Sequence, residues 1–211
     1  MKILELFKGS GSITEYYKDT DNEVISLDIL EKYSPTICCD IMEWDYKIYP
    51  TGYFDIIWGS PECKIFSMLQ NTWIGKKWKD KGELEAQREI HSKFIKKTIE
   101  IIKYFNPKYY FIENPLYSKI WDYVEEDFKN KFVIVDYCYF GYNYKKPTKI
   151  LTNKILENKR CGHKKHDMRI GLTGCKMINA NVKKKDNTNL MDRYSIPQKL
   201  LEYLLNGGVA P

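Results

Sequence analysis

The chain has 211 residues, of which 43% are hydrophobic and 29% are charged. This balance predicts one packed domain, or one domain with a small annex, and excludes long disorder. No apolar run approaches the ~18 residues of a membrane helix, and the first residues, MKILELFKGSGS, lack the pattern of a secretory leader. We therefore expect a cytoplasmic protein whose six cysteines are reduced thiols.

The net charge of +6 is distributed unevenly along the chain. Residues 1–60 carry 5 lysines and 11 acidic residues, whereas residues 143–185 carry 13 basic residues against Glu157 and Asp167 alone. An acidic first part joined to a basic last part indicates either a polyanion partner or the solvated surface of a lysine-rich protein.

Short apolar runs alternate with helical patterns. Strands are predicted at residues 3–7, 23–29, 36–39, 54–59, 109–113, 132–140 and 148–152. Helices are predicted at residues 13–19, 83–104, 116–128 and 196–205. This alternation predicts an α/β fold with a mostly parallel sheet flanked by helices. Ligands of such sheets bind beyond the carboxyl ends of the strands, so the polar residues at those ends are the candidate site.

Three strand ends have features of a nucleotide-type site. The turn from Phe7 to Gly11 opens a helix, and its glycines allow the backbone to approach a ligand closely. Asp28 ends the second strand, where an acid typically accepts hydrogen bonds from ribose hydroxyls. Asp40 follows the next short strand and could contact an adenine amine. A plain tight turn and a surface acid or helix cap are the alternative interpretations.

Two further strand ends carry reactive side chains. Cys63 follows the strand at 54–59, where a thiol can be exposed and oriented as a nucleophile. Glu113 ends the strand at 109–113, where it could hold a ring nitrogen or simply cap a turn. Lys145 and Lys146 precede the last strand and could bind a base or phosphate, or form a charged turn.

Taken in order, these elements resemble the DNA (cytosine-5) methyltransferase family. The similar elements are the glycine loop from Phe7 to Gly11, the Pro-Cys loop Ser60-Pro61-Glu62-Cys63, the Glu-Asn element Glu113-Asn114-Pro115, the basic motif Lys145-Lys146-Pro147-Thr148 and the closing helix from Arg193 to Leu200. The chain departs from the family where Glu62 replaces the usual proline, where lysines replace the usual arginines, and in its short recognition region.

The resemblance implies a Rossmann-like fold that binds S-adenosyl-L-methionine. The implied cofactor contacts are Phe7, Gly9, Ser10, Gly11, Asp28, Asp40, Ser60 and Pro61. The implied reaction begins when Cys63 adds to C6 of cytosine, which makes C5 nucleophilic enough to accept a methyl group. Glu113 would then act at N3, and Lys145 or Lys146 would face O2.

The resemblance also implies DNA as the partner, because a base inside a duplex must be flipped out before it can react. The implied contacts in the loop after Cys63 are Trp73, Lys76, Lys77 and Trp78, and those in the basic segment are Arg160, Lys164, Lys165 and Arg169. The alternative interpretation of both tryptophans is packing within the loop.

The chain is expected to comprise a catalytic domain at 1–153, a short basic recognition segment at 154–192 and a C-terminal helix at 193–211 that returns to the cofactor pocket. The set Cys161, His163, His166 and Cys175 contains zinc-type ligands, but its spacing matches no common finger and the reaction requires no metal. We expect no metal and a monomer. For a viral or phage-encoded enzyme, the compartment would be the host cytoplasm.

Two other functions are compatible with the sequence. The target could be cytosine in RNA, or the chain could be an inactive homologue that binds nucleic acid or regulates a partner. The short recognition region and Glu62 permit the inactive homologue, whereas the presence of both Cys63 and Glu113 argues against it.

Overall fold

A seven-stranded sheet forms the centre of the protein in a computed structural model that describes residues 1–142, 144–162, 168–170, 176–177 and 194–207. The strands of the large sheet are β1 (Lys2–Leu6), β2 (Glu23–Asp28), β3 (Ile37–Cys38), β4 (Ile56–Gly59), β5 (Tyr109–Pro115), β6 (Phe132–Asp136) and β8 (Pro147–Thr152). Three further strands form a smaller sheet: β7 (Tyr144–Lys145), β9 (Met168–Ile170) and β10 (Lys176–Met177). The longer helices are α1 (Ser12–Tyr17), α2 (Lys81–Phe105) and α3 (Gln198–Asn206).

The strand order in the large sheet is β3-β2-β1-β4-β5-β8-β6. The first five strands in this order pair in parallel, while β8 runs antiparallel to both neighbours, β5 and β6. A smaller sheet has the order β10-β9-β7. The carboxyl ends of β1, β2, β4 and β5 consequently share one edge, at which the sequence places the candidate site.

Both faces of the large sheet are covered. Along β1, Ile3 faces one buried cluster, whereas Leu4 and Leu6 face the other, as the two-residue period of a strand requires. Helix α2 packs the isoleucines of its second half against the second cluster, and α1 and α3 pack against the first. No helix among the described residues has the length and apolarity needed to cross a membrane.

The start and end of α2 follow from local sequence. The Asp80 carboxylate accepts a hydrogen bond from the Glu83 N–H at 2.9 Å and caps the first turn. Asn106 ends the helix in the left-handed conformation, with φ of 47°, directly before Pro107. The predicted helix at 83–104 is therefore confirmed, with slightly wider bounds.

Two sequence predictions about the region between β5 and β8 were wrong. Residues 116–128 do not form one helix: they form two short 3₁₀ turns, Lys119–Tyr123 and Glu126–Phe128, separated by extended backbone at Val124. This break allows the apolar side chains of both turns to be buried. The predicted strand 132–140 ends at Asp136, and Tyr137–Phe140 form a 3₁₀ turn that carries Tyr137 to the edge of the sheet.

A buried carboxylate holds the first turn of α1. Gly11 at the N-cap provides no side-chain cap, and Glu5 in β1 accepts hydrogen bonds from the backbone N–H groups of Ile13 and Thr14, both at 3.1 Å. Burial raises the pKa of the Glu5 carboxyl, while the hydrogen bonds from Thr14 and the backbone oppose that rise. The side chain thereby fixes the glycine turn relative to the sheet.

We expect Glu5→Ala to reduce the free energy of unfolding by about 2 kcal/mol, because two buried N–H groups lose their acceptor. The measurement is urea denaturation followed by circular dichroism. Glu15→Ala is the control on the same helix: its side chain is 68% exposed, and we expect a loss below about 0.5 kcal/mol. Equal losses in the two variants would contradict the capping role.

Candidate active site

The glycine turn is a strained backbone segment at the end of β1. Phe7, Gly9 and Gly11 have positive φ values of 59°, 48° and 67°, and for Phe7 this conformation is costly. Its ring packs edge-to-face against Phe94 of α2 with centroids 6.3 Å apart, which helps to hold the turn. Ser10 lies in the same turn, and its hydroxyl is 3.1 Å from the hydroxyl of Ser12.

Asp28 lies beside this turn at the end of β2. One carboxylate oxygen accepts a hydrogen bond from the Gly9 N–H at 3.0 Å, and the other accepts one from the Leu30 N–H at 2.9 Å. The following side chain, Ile29, is apolar yet 60% exposed. Asp40 lies after β3, and its carboxylate accepts a hydrogen bond from the Met42 N–H at 2.9 Å, which closes a turn that no helix follows directly.

The chain before α3 contacts the same turn. The Ile196 N–H donates to the Ser12 hydroxyl at 3.0 Å, and the Ser10 hydroxyl donates to the Tyr194 carbonyl at 3.5 Å. These bonds hold the residues before α3 beside the glycine turn, although the bonded residues are 184 positions apart in sequence.

A buried hydrogen bond joins the Cys63 loop to the end of β5. The side-chain amide of Asn114 donates to the Pro61 carbonyl at 2.8 Å, and Asn114 is almost completely buried. The Ser60 hydroxyl accepts a hydrogen bond from the Trp58 indole at 2.9 Å. The loop that carries Cys63 is therefore fixed to β4 and β5 together.

Arg88 of α2 holds the next part of the same loop. It is only 1% exposed, and its guanidinium donates to the carbonyls of Ile65 and Ser67 at 3.2 and 3.3 Å and pairs with Glu85 at 2.7 Å. A guanidinium can satisfy several carbonyls at once because its donors point in fixed directions. No local pattern indicated this role, because a charged residue on an amphipathic helix usually faces solvent.

Cys63, Glu113 and Lys146 lie close enough to interact electrostatically; Glu113 is buried, and the other two are partly buried. Burial raises the pKa of the Cys63 thiol, and the negative charge of Glu113 raises it further, while Lys146 lowers it. The Lys146 ammonium lies 3.4 Å from Oε1 of Glu113. The sequence analysis predicted that these side chains would lie close together, and they do so in the structure. Of the two candidate lysines, Lys146 is the one whose charge opposes the rise in the pKa of Cys63.

Lys145 has different partners from its neighbour. Its ammonium lies 3.6 Å from Oδ2 of the fully buried Asp136, which also accepts hydrogen bonds from Arg160 Nε at 2.9 Å and from the Cys161 N–H at 3.0 Å. Of the two lysines, only Lys146 contacts Glu113. Arg160, predicted to contact DNA, anchors the start of the basic segment through this carboxylate.

The two tryptophans of the Cys63 loop have different environments. Trp73 is 49% exposed, with the Lys76 ammonium 6.0 Å from its ring. Trp78 is 8% exposed, and its indole donates to Gln70 at 3.1 Å. Trp78 therefore has the environment that the alternative interpretation, packing within the loop, predicts. Lys77 lies over the Trp78 ring at 4.3 Å.

The remaining predicted residues lie mostly outside the described part of the chain. The side chains of Lys164, Lys165 and Arg169, and of the candidate zinc ligands His163, His166 and Cys175, are all outside it. Within the described residues no group of three or more His, Cys, Asp or Glu side chains is arranged to hold a metal. Cys161 contacts Cys138, and burial together with this contact raises the pKa of Cys138 to about 12.

Comparison with known proteins identifies the class and then the family. A solved methyltransferase from Entamoeba histolytica matches the fold with a TM-score of 0.54 at 15% identity; the match covers 80% of this chain and 58% of that one. The fold is therefore the Rossmann-like methyltransferase fold. A Frog virus 3 (isolate Goorha) protein named "Probable DNA (cytosine-5)-methyltransferase" is 30% identical over 158 residues, which is 72% of this chain and 71% of that protein. The chain belongs to the DNA (cytosine-5)-methyltransferase family. No protein-family profile matches it.

The charges around Cys63 lead to a prediction about its ionisation. Lys146→Met should move the midpoint of Cys63 alkylation by iodoacetamide to higher pH, by about one unit, because a nearby cation is lost. Glu113→Gln should move it to lower pH, because a nearby anion is lost. Mass spectrometry of the Cys63 peptide measures the reaction.

Lys145→Met is the matched control, since Lys145 pairs with Asp136, and it should leave the midpoint unchanged. A larger shift with this variant than with Lys146→Met would show that the wrong lysine has been assigned to the thiol.

Proposed function

We propose that this protein methylates C5 of cytosine in DNA through a covalent adduct with Cys63. The observation that carries the proposal is the side-chain cluster near the ends of β4 and β5, in which one thiol, one carboxylate and one ammonium interact. These are the groups that the chemistry of cytosine requires: a nucleophile for C6, a partner for N3 and a cation for developing negative charge.

The features at the ends of β1 and β2 fit S-adenosyl-L-methionine. The turn around Gly9 and Gly11 exposes backbone near a helix start, Asp28 offers acceptor oxygens, and Ile29 presents an exposed apolar surface suited to a purine ring. Phe7, Ser10, Asp40, Ser60 and Pro61 complete the proposed contacts. When bound, this cofactor supplies an electrophilic methyl group.

Cys63 must lose its proton before it attacks. In the resting protein its pKa is raised, so the thiol form prevails at neutral pH. Addition of the sulfur to C6 forms a C–S bond and pushes electron density towards N3 and O2. Once C5 carries the methyl group, a water molecule takes the C5 proton, and the electron pair of that C–H bond restores the aromatic ring and expels the sulfur of Cys63 as a thiolate.

Glu113 and Lys146 stabilise the charge that builds up on the ring. Glu113 would share a hydrogen bond with N3 as negative charge develops there, and the Lys146 ammonium would face O2. Both side chains are largely shielded from solvent, and such interactions are stronger there than in water. The second lysine, Lys145, was predicted for the same role, but its contact with Asp136 favours Lys146.

The loop after Cys63 provides the nucleic-acid contacts. Trp73 is the exposed aromatic side chain of this loop, and Lys76 and Lys77 accompany it. A cytosine must leave the stack to reach Cys63, at a cost of a few kcal/mol, which an aromatic wedge and phosphate contacts can offset. The basic segment that begins near Arg160 is proposed as the second contact with the DNA.

Replacement of the nucleophile tests the mechanism directly. Cys63→Ala should abolish transfer of labelled methyl from S-adenosyl-L-methionine to DNA while cofactor binding, measured by calorimetry, is retained. Cys38→Ala is the control, because this thiol is exposed and lies at the end of β3, and it should retain full activity. Methyl transfer by the Cys63→Ala variant would rule out the covalent route.

The alternative functions are separated by the choice of substrate. A stable adduct of the wild-type protein with DNA containing 5-fluorocytosine would exclude the inactive homologue, because this analogue traps only a working nucleophile. Parallel assays with DNA and RNA of the same sequence separate the two cytosine targets. Labelled methyl in RNA alone would refute the DNA substrate.

Trp73 gives a further prediction. Trp73→Ala should lower methyl transfer to duplex DNA by about tenfold or more, because one stacking contact is worth ~1–3 kcal/mol, whereas Trp73→Phe should retain most of the activity. Transfer to single-stranded DNA should be affected less. Equal losses on both substrates would show that the ring does not assist base flipping.

A further inference from the structure

Tyr137 is a buried group beside the proposed catalytic pair. It has 0% exposure and lies in the turn directly after β6, where the sequence pattern predicts a strand. Its hydroxyl donates a hydrogen bond to Oε1 of Glu113 at 3.2 Å. The tyrosine thus contacts a residue 24 positions away in sequence, from the other side of β8.

The same tyrosine also holds Lys146. The Lys146 ammonium lies 4.4 Å from the centre of the Tyr137 ring, and the Tyr137 N–H donates to the Lys146 carbonyl at 3.3 Å. The ammonium is also 3.4 Å from Oε1 of Glu113. Each of the three side chains, Tyr137, Glu113 and Lys146, therefore contacts the other two. A cation over an aromatic face is attracted to it most strongly when it is partly shielded from water.

The hydroxyl of Tyr137 remains a donor at every pH at which the enzyme would work. Burial raises its pKa well above the usual value, and the negative charge of Glu113 adds to the effect. Within the described residues, both contacts with the Glu113 carboxylate are made at Oε1. Oε2 is therefore the carboxylate oxygen of Glu113 that these two contacts leave available to a substrate.

We propose that Tyr137 is a positioning residue for the methylation reaction, which fixes the rotation of the Glu113 carboxylate so that Oε2 faces N3 of the cytosine, and holds the Lys146 ammonium beside it. The inference rests on the proposed function. It assigns to Tyr137 no contact with the substrate: its effect is transmitted through Glu113 and Lys146.

Tyr137→Phe isolates the hydroxyl, because it keeps the ring that packs in the core and carries Lys146. We expect kcat for methyl transfer to fall by about tenfold, since small misplacements of a reacting group can cost up to ~100-fold. The affinities for DNA and S-adenosyl-L-methionine should be unchanged. The rate of adduct formation with 5-fluorocytosine DNA should fall in parallel with kcat.

Tyr110→Phe is the matched control. Tyr110 lies on β5, the same strand as Glu113, and its hydroxyl is buried with no hydrogen-bond partner in the described structure. Its removal should leave kcat unchanged. Thermal unfolding of both variants checks the fold, and failure of Tyr137→Phe to fold would overturn the proposal, because the hydroxyl would then serve stability.

A double-mutant cycle separates positioning from packing. If Tyr137 acts through Glu113, Tyr137→Phe should cost little further activity in a Glu113→Gln background. Additive losses, or full activity of Tyr137→Phe alone, would overturn the positioning role while leaving the proposed function intact. Full activity of Glu113→Gln alone would instead show that the proposed catalytic chemistry is wrong.

Discussion

The hydrogen bond from the Asn114 amide to the Pro61 carbonyl is the contact on which the geometry of the site depends. Parallel pairing places Gly59 of β4 opposite Ile112 of β5, but Cys63 lies four residues beyond its strand, where sheet pairing no longer controls the backbone. The buried amide fixes that loop to the strand that carries Glu113. Breaking this bond would leave a buried polar group unpaired, which costs about 1–3 kcal/mol, so the loop is held firmly.

This arrangement also sets the ionisation of the Cys63 thiol. Burial and the negative charge of Glu113 raise its pKa, and Lys146 offsets only part of the rise. The carboxylate that we propose as the partner of the base therefore opposes ionisation of the thiol, and Lys146 is the side chain that counters this opposition.

The sequence predicted the parallel strands, helix α2 and the meeting of Cys63 with Glu113, because each depends on local pattern plus the rule that parallel strands end at one edge. It did not predict the contacts of Arg88, Glu5 or Tyr137. Each of these residues has an ordinary local interpretation. Arg88 is a charge on a helix face, Glu5 is an acid within an apolar run, and Tyr137 is an aromatic residue in a predicted strand. Their burial is set by partners 8 to 24 positions away in sequence, which no local pattern contains.

These three residues and Asn114 share a location that explains why such polar groups are buried at all. Glu5 holds the helix start at the glycine turn, Arg88 holds the loop after Cys63, Asn114 joins that loop to β5, and Tyr137 holds Glu113. Burying a polar group costs free energy unless it is hydrogen-bonded, and an apolar side chain would pack more simply. This cost falls at the carboxyl edge of the sheet, where the loops that carry the proposed nucleophile and its partner carboxylate must be held in a fixed relation to each other.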